Sequence, residues 1–367
     1  MSCFRLLCLL FMCMSSPGCS GDSKSSNTLA PTVTATEAAA IKALELARAV
    51  VKTNEGGSAT DIDLHRLTLT AEMLDLLPEL TSLRVLNLAD STFSDEALPV
   101  LERIAPGLVN LDLRGCQLSD KAPAVIARFT DLRALRFNGL NGKTSISDDG
   151  LKSLAACKSL KLLALDELTF VGSDGIAALA GLKDLEELYL AATIVDDDSC
   201  KLIAGFSKLK KLRLAKNQIR DVGLEALSSL SILEELDLSG DSLITDVGMA
   251  HLAKLSALRK LNLWKVQITD VGALMLAPLT KLEWLNLDNT KLSDSGLPLL
   301  ENMHSLTFLH LGSTQITPAG APHLFHLTSL NDLKITRTAL AANDSAVAEL
   351  KQHLPNTAIQ TEYVESE

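Results

Sequence analysis

The sequence is short of rings. Phe, Trp and Tyr make up 4% of its 367 residues, with only two Trp and two Tyr. An ordinary mixed core buries more aromatic surface than that, so the core must be filled another way. Cysteine is scarce where it could matter. Of seven, Cys3, Cys8, Cys13 and Cys19 fall in the first nineteen residues, leaving Cys116, Cys157 and Cys200 for the body. An odd number of thiols in unrelated settings is no disulfide framework, and no CxxC pair offers zinc spacing. Basic charge is in deficit: 34 Lys and Arg against 45 Asp and Glu give a net charge of -11. Phosphate contacts need clustered cations, so nucleic acid is excluded as the expected partner. Walker, GxSxG and HExxH motifs are missing, so the sequence offers no catalytic residue and no cofactor site, and the expectation is a protein that is not an enzyme. Beyond the first nineteen residues no stretch is apolar enough to span a membrane.

Leucine is what the chain has instead: 74 of 367 residues. Length alone suggests two domains, but that prior yields when a chain repeats itself.

The N-terminus reads as an address. Arg5 precedes a nine-residue apolar run, residues 6–14 (LLCLLFMCM), too short for a membrane anchor and right for a signal-peptide core. Ser16-Pro17-Gly18-Cys19 follows. Small residues before a Cys resemble the bacterial lipobox, which implies acylation of Cys19 as the mature N-terminus; Ser16 departs from the Leu usual there. The other reading is a plain secretory signal cut nearby. Residues 20–36, rich in Ser, Thr and Gly, read as a flexible tether. Lipoprotein sorting rules, applied to Ser20 after the Cys, place the protein at the outer membrane of a bacterial cell envelope.

The remainder is one unit repeated. Paired apolar residues of an LxL pattern recur from Ile62/Leu64 through Leu86/Leu88, Leu111/Leu113 and Leu135/Phe137 to Leu333/Ile335. Twelve pairs follow one another at 24 or 25 residues, with a single step of 28. The unit at 258–279 reads LRKLNLWKVQITDVGALMLAPL. Its Leu258, Leu261, Leu263 and Ile268 match L-x-x-L-x-L-x-x-N/C-x-L, and the chain from about residue 58 onward resembles the leucine-rich repeat family. The family's Asn/Cys column is held here by Cys116, Thr193, Asn217, Val266, Thr290, Thr314 and Thr338, with Thr predominating as in the ribonuclease-inhibitor-like branch and in F-box substrate adaptors. The resemblance implies an α/β solenoid, a horseshoe of about 12 repeats with a parallel sheet on its concave face and helices on its convex face. It also implies protein binding.

The residues themselves support each half of that unit. LxL alternates with period two, so its leucines share one face of a strand. Ser or Thr followed by Asp, as at Ser119-Asp120, Thr245-Asp246, Thr269-Asp270 and Ser293-Asp294, reads as an N-cap with the Asp at the first helical position, facing the helix dipole. Thr317-Pro318 fixes that register. Gly223, Gly248, Gly272, Gly296 and Gly320 recur in the first turn, where a missing side chain lets the helix approach its neighbour. An open-ended stack needs caps. Residues 34–52 are amphipathic around Ile41, Leu44 and Val51, with a Thr34/Glu37 capping box. Residues 344–354 read as a closing helix stopped by Pro355, followed by a strand-like Ile359. The organisation expected is therefore signal peptide 1–18, tether 19–36, helical cap 37–57, repeats 58–340, and cap with acidic tail 341–367. The 28-residue step marks an insertion at 138–145 (NGLNGKTS).

Few residues suggest chemistry. His323 and His326 could hold a metal, but His251 shares the column of His323, and solvated surface histidines are the expectation. Asp196, Asp197 and Asp198 fall at a predicted helix start, where carboxylates need no metal. Cys157 and Cys200 occupy leucine columns and read as core thiols. The concave face is more informative. One residue before each LxL pair the column runs Glu187, Lys211, Glu235, Lys260, Trp284, Phe308, Asp332. Its charges should neutralise one another, whereas Trp284 and Phe308 stand side by side, with Lys260 placed to cover the indole. Asn262, Asn286 and His310 lie between the leucines of the same units, and Trp264 follows its pair. These seven residues (Lys260, Asn262, Trp264, Trp284, Asn286, Phe308 and His310) form the expected partner site, because exposed Trp dominates interface hot spots. A protein or peptide is the leading partner. A glycan, stacking on the rings, is the alternative, and an F-box-like substrate adaptor is a third reading that lacks the preceding helical domain.

Overall fold

The computed structural model describes residues 33–104 and 106–363. Cys19, the leader and most of the tether lie outside the described residues. Fourteen strands form one sheet in strict chain order. They are β1 (Val50–Thr53), β2 (Ala59–Asp63), β3 (Val85–Asn87), β4 (Asn110–Asp112), β5 (Ala134–Asn138), β6 (Leu162–Asp166), β7 (Glu187–Tyr189), β8 (Lys211–Arg213), β9 (Glu235–Asp237), β10 (Lys260–Asn262), β11 (Trp284–Asn286), β12 (Phe308–His310), β13 (Asp332–Lys334) and β14 (Ala358–Gln360). Only β1 is antiparallel, paired with β2; every later neighbour is parallel. The LxL residues are the fixed frame: Leu212, Leu236, Leu261 and Leu285 lie in register across β8 to β11, and each is no more than 2% exposed. Leucine layers from every unit join in one continuous core. This is the solenoid predicted, with the twelve LxL strands β2–β13 extended by one capping strand at each end.

The turn that ends each strand is not visible in the repeat pattern. Two residues after the second leucine the backbone is left-handed, and Glu167, Ala192, Lys216, Lys265, Asn289, Ser313 and Arg337 hold positive φ where glycine is the ordinary choice. The cost is about 1–2 kcal/mol per residue. It is offset by an additional ladder of hydrogen bonds from these same residues, with Lys216 N donating to Ser239 O (2.8 Å), Lys265 N to Asp288 O (3.0 Å) and Asn289 N to Gly312 O (2.9 Å). The Thr of the Asn/Cys column closes the turn from inside. Thr290, Thr314 and Thr338 hydroxyls donate to the carbonyl three residues back, at 2.8, 2.6 and 2.6 Å.

On the outer side Thr245, Thr269, Ser293 and Thr317 are N-caps, as predicted, with Asp or Pro at the first helical position, and Ser147 is another. At Ser119-Asp120 the helix begins one residue later than expected, so Asp120 takes the N-cap position before Lys121–Ile126. The Asp does more than face a dipole. Asp246 accepts from the N–H (2.7 Å) and hydroxyl (2.6 Å) of Thr269 in the next unit, Asp270 likewise from Ser293, and Asp294 from Thr317. The recurrent glycine makes room for that carboxylate. A Cβ built on Gly248 would lie 2.5 Å from Asp221 Oδ1 and 2.8 Å from Leu224 Cδ1. In the last units, where Pro298 and Pro322 remove an N–H, the expected α-helices tighten to 3₁₀ turns, Asp294–Asn302 and Pro318–Leu324.

The caps differ in detail from expectation. The first helix, Ala35–Leu46, ends before Val51, which lies on β1. Thr34 caps it by accepting from Glu37 N (3.1 Å), but Glu37 does not reach back. Its buried carboxylate instead accepts from Ala59 N (3.0 Å) and fastens the cap to β2. At the far end the helix Asp344–His353 and β14 close the stack.

Candidate functional site on the concave face

The expected ladder forms. Lys211 pairs with Glu187 (3.3 Å) and Glu235 (3.8 Å), and Lys260 with Glu235 (3.2 Å). Trp284 and Phe308, adjacent on β11 and β12, stack with centroids 4.8 Å apart and planes 5° from parallel. Lys334 lies over Phe308 at 5.6 Å, and His310 meets that ring edge-on at 6.4 Å. One pairing is corrected: Lys260 does not cover the indole of Trp284, because the carboxylate of Glu235 draws its ammonium the other way. The cation over a Trp is Lys265, 4.2 Å from Trp264. Both tryptophans are half-buried.

The Asn residues of the site are partly spent on their own backbone. Asn262 Oδ1 accepts from Trp264 N (3.2 Å) and Asn286 Oδ1 from Asp288 N (2.9 Å), turns that orient the left-handed corner. His310 Nε2 lies 4.0 Å from Asp288. Burial holds this imidazole below its usual range; Asp288 opposes the shift and Lys334 adds to it.

A groove of about 360 Å³ opens on this face, and its centre lies nearer the N-terminus than the predicted patch. Lys260, Asn262 and Trp284 line it; Trp264, Asn286, Phe308 and His310 lie outside its lining. Its far side is made of residues that column reading passed over: Tyr189, Arg213 and Asp237, above Leu212 and Leu236. Arg213 bridges Asp166 (2.9 Å) and Asp237 (3.3 Å), while Tyr189 donates to Glu187 (2.7 Å). Burial, then the Glu187 bond, raises the Tyr189 pKa, so the phenol stays a donor. The signal is present in the column between the leucines, where Tyr189, Arg213 and Asp237 continue the line of Asn262, Asn286 and His310. Trp284 presents to the groove the face that Phe308 leaves free.

The other candidates find ordinary roles. Asp196 caps its helix in a capping box with Ser199, Asp197 accepts from Arg220 N (2.8 Å), and Asp198 pairs with Lys201 (2.7 Å). The histidines are not simply solvated: His251 and His323 are half-buried, and His326 Nε2 donates to Leu300 O (3.0 Å), which commits that nitrogen. Cys116, Cys157 and Cys200 are free and buried. Burial pushes the Cys116 and Cys157 thiols up to about 12 and about 11, so neither is a nucleophile at neutral pH.

Two leucine-rich repeat family models match residues 207–265 and 302–321. No curated protein matches the chain in sequence. Among solved structures the chain is similar to an internalin (inlF) of Listeria monocytogenes at 21% identity, covering 90% of this chain and 96% of that one, with a TM-score of 0.62. It is also similar to a chain of the yeast Rad7–Elc1 complex at 19% identity, covering 80% and 79%, with a TM-score of 0.56. The repeats, their register and these likenesses together identify the fold as a leucine-rich-repeat solenoid.

Proposed function

We propose that the chain is a non-enzymatic recognition module, exported and lipid-anchored through Cys19 at a bacterial outer membrane, that holds a protein or peptide against its concave face. The observation that carries the reading is the groove walled by the free face of Trp284 and by Tyr189. Its ionic residues are already paired with one another, so a partner gains from apolar and aromatic contact without having to break a buried charge pair. The yeast neighbour is crystallised in a complex with another protein, a setting consistent with this use of the fold. A glycan is less well served: Lys265 already lies over Trp264, and Phe308 takes one face of Trp284.

The test is a pull-down with the purified chain against envelope and secreted proteins, followed by affinity measurement on the captured partner. Trp284→Ala with Phe308→Ala should weaken binding at least tenfold while Glu225→Ala, on an exposed convex position, leaves it unchanged. Equal loss in both variants, or loss in neither, would reject the concave face as the site.

A further inference from the structure

The one long repeat builds a second depression at the edge of the sheet. Its four additional residues make room for a three-residue turn, Leu140–Gly142, beyond the C-terminal end of β5. Glycine shapes that turn at two points. A Cβ on Gly139 would run into the carbonyl oxygen of Glu167, and Gly142 has φ +67°. Between the turn and the next three units lies a hollow of about 410 Å³, walled by Gly142 and Thr144 on one side and by Phe170, Ala192 and Lys216 on the other.

This hollow is apolar where exposed apolar groups need a reason. Phe170, on its wall, is 60% exposed; Leu140 and Ile194, 46% and 49% exposed, stand in the flanking units outside its lining. Ile194 N donates to Val171 O (3.0 Å), which sets it beside Phe170's segment. Glu167 and Lys216, one charge of each sign, also line the hollow, so it selects for neither a cation nor an anion. A neutral, bulky side chain fits that chemistry.

The hollow neighbours the groove along the chain. Arg213 lines the groove, and Lys216, three residues further along the same segment, lines the hollow. Asp166, held by Arg213 at 2.9 Å and by Ala191 N at 2.7 Å, immediately precedes Glu167. The Arg213–Asp166 ion pair stands at the groove end of these segments, and the step from Arg213 to Lys216 corresponds to about 10 Å of extended chain.

We propose that the hollow takes a leucine-sized or larger apolar side chain of the same extended polypeptide that occupies the concave groove, so that the partner leaves the sheet over β8 instead of running the length of the concavity. The proposal rests on the concave-face reading above. The turn Leu140–Gly142 and Phe170 are then specificity elements, and the irregular repeat is the feature that confers them.

The test selects random 16-residue peptides displayed on phage against the full chain, then measures the selected peptides, labelled, against the parent, Phe170→Asp, Phe170→Ala and Trp284→Ala. All three variants should keep the parent's thermal transition, since Phe170 is mostly exposed and Trp284 faces the groove. Affinity should fall at least tenfold for Phe170→Asp and for Trp284→Ala. Replacing the peptide's one Leu, Ile, Met, Phe or Trp anchor by Ala should cost little further in the Phe170→Ala background. Peptides that lose affinity with Trp284→Ala yet bind Phe170→Asp within twofold of the parent would overturn this inference and leave the concave reading standing. Peptides sensitive to Phe170→Asp alone would reject the concave groove as the shared site. Failure to enrich any peptide overturns both.

Discussion

Asp241 shows how much one residue can be out of step with its column. It occupies the inner position where Thr predominates and Asn217, Cys116 and Val266 also stand, and it is fully buried. Oδ1 accepts from Asn217 N (2.6 Å), but Oδ2 has no partner among the described residues. Burial pushes its carboxyl up to about 8; the Asn217 bond opposes this and Asp237, on the groove side of β9, adds to it. The folded state therefore binds this proton more tightly than the unfolded chain does. Stability from this group is fully present below the unfolded carboxylate range, near pH 4, and is lost as pH rises toward about 8. Asn217 shows the remedy, since its Nδ2 donates to Leu214 O (2.7 Å) and Leu190 O (2.8 Å). Asp241→Asn should place the equivalent donor under the carbonyl of Leu238. Denaturant titrations from pH 4 to 9 should show the parent's stability declining with a slope that the variant lacks, and a gain of about 1–3 kcal/mol at pH 8, the usual cost of a buried unsatisfied group. Parallel curves for the two proteins would refute the assignment.

At the scale of the element, the helix starts join one unit to the next. Asp, Gly and Ser or Thr form a single device: the Asp of one unit reaches the N-cap of the next, and the glycine of that next unit leaves the space. Gly to Ala inside a helix ordinarily stabilises by about 1 kcal/mol. At Gly248 the sign should reverse, because the new methyl would meet Asp221 Oδ1 at 2.5 Å. Gly248→Ala is expected to cost about 1–3 kcal/mol, and Asp221→Ala should recover part of that loss, a positive coupling in the double-mutant cycle. Additive effects would show that the two residues are independent. The sequence disclosed the Ser/Thr cap, the Asp and the glycine, because each is a local rule with a local signature. It did not disclose that the Asp bonds forward, since neighbouring helices are 24 residues apart in the chain and only the assembled stack brings them together. The same holds for Glu37, whose partner Ala59 lies outside its helix. The strands were legible because LxL is periodic; the left-handed corners were not, because Lys216 and Arg337 carry no glycine to announce them. In the candidate site, the stacking of Trp284 on Phe308 followed directly from register, while the far wall at Tyr189 and Arg213, whose letters stand in the column between the leucines, becomes a groove only through side-chain reach that the column does not contain.

For the whole molecule, stability is a sum over neighbours, and each layer supports the next. Leu261, central on β10 and fully buried, should cost about 2–5 kcal/mol when cut to Ala. Chemical denaturation should show that loss together with a broadened transition, as the repeats on either side of the void uncouple; a change under about half a kcal/mol would contradict the placement of Leu261 in the continuous core.

The direction of the stack also bears on how an anchored protein would present its groove. The described chain begins at the cap, where Val33 N donates to Gly56 O (3.0 Å), beside the β1 end of the sheet. From Cys19 to Val33 the chain can span at most about 50 Å. The groove, between β7 and β11, lies five to nine strands from β2, or about 24–43 Å along the sheet. An anchor at Cys19 would then hold the cap toward the lipid and carry the groove away from it. One acyl chain binds only marginally, at about 0.8 kcal/mol per buried CH₂, and stable attachment takes more than one. Cys19→Ala, which removes the acceptor for every chain, should therefore move the protein from the detergent-extracted membrane fraction to the soluble fraction. Affinity for a soluble partner peptide should stay unchanged, because the groove lies away from the cap. If the variant still fractionates with membranes, Cys19 is not the anchor and the signal is cut elsewhere. If it becomes soluble but also loses the peptide, the anchor end and the groove are coupled, against the one-dimensional independence that the stack implies.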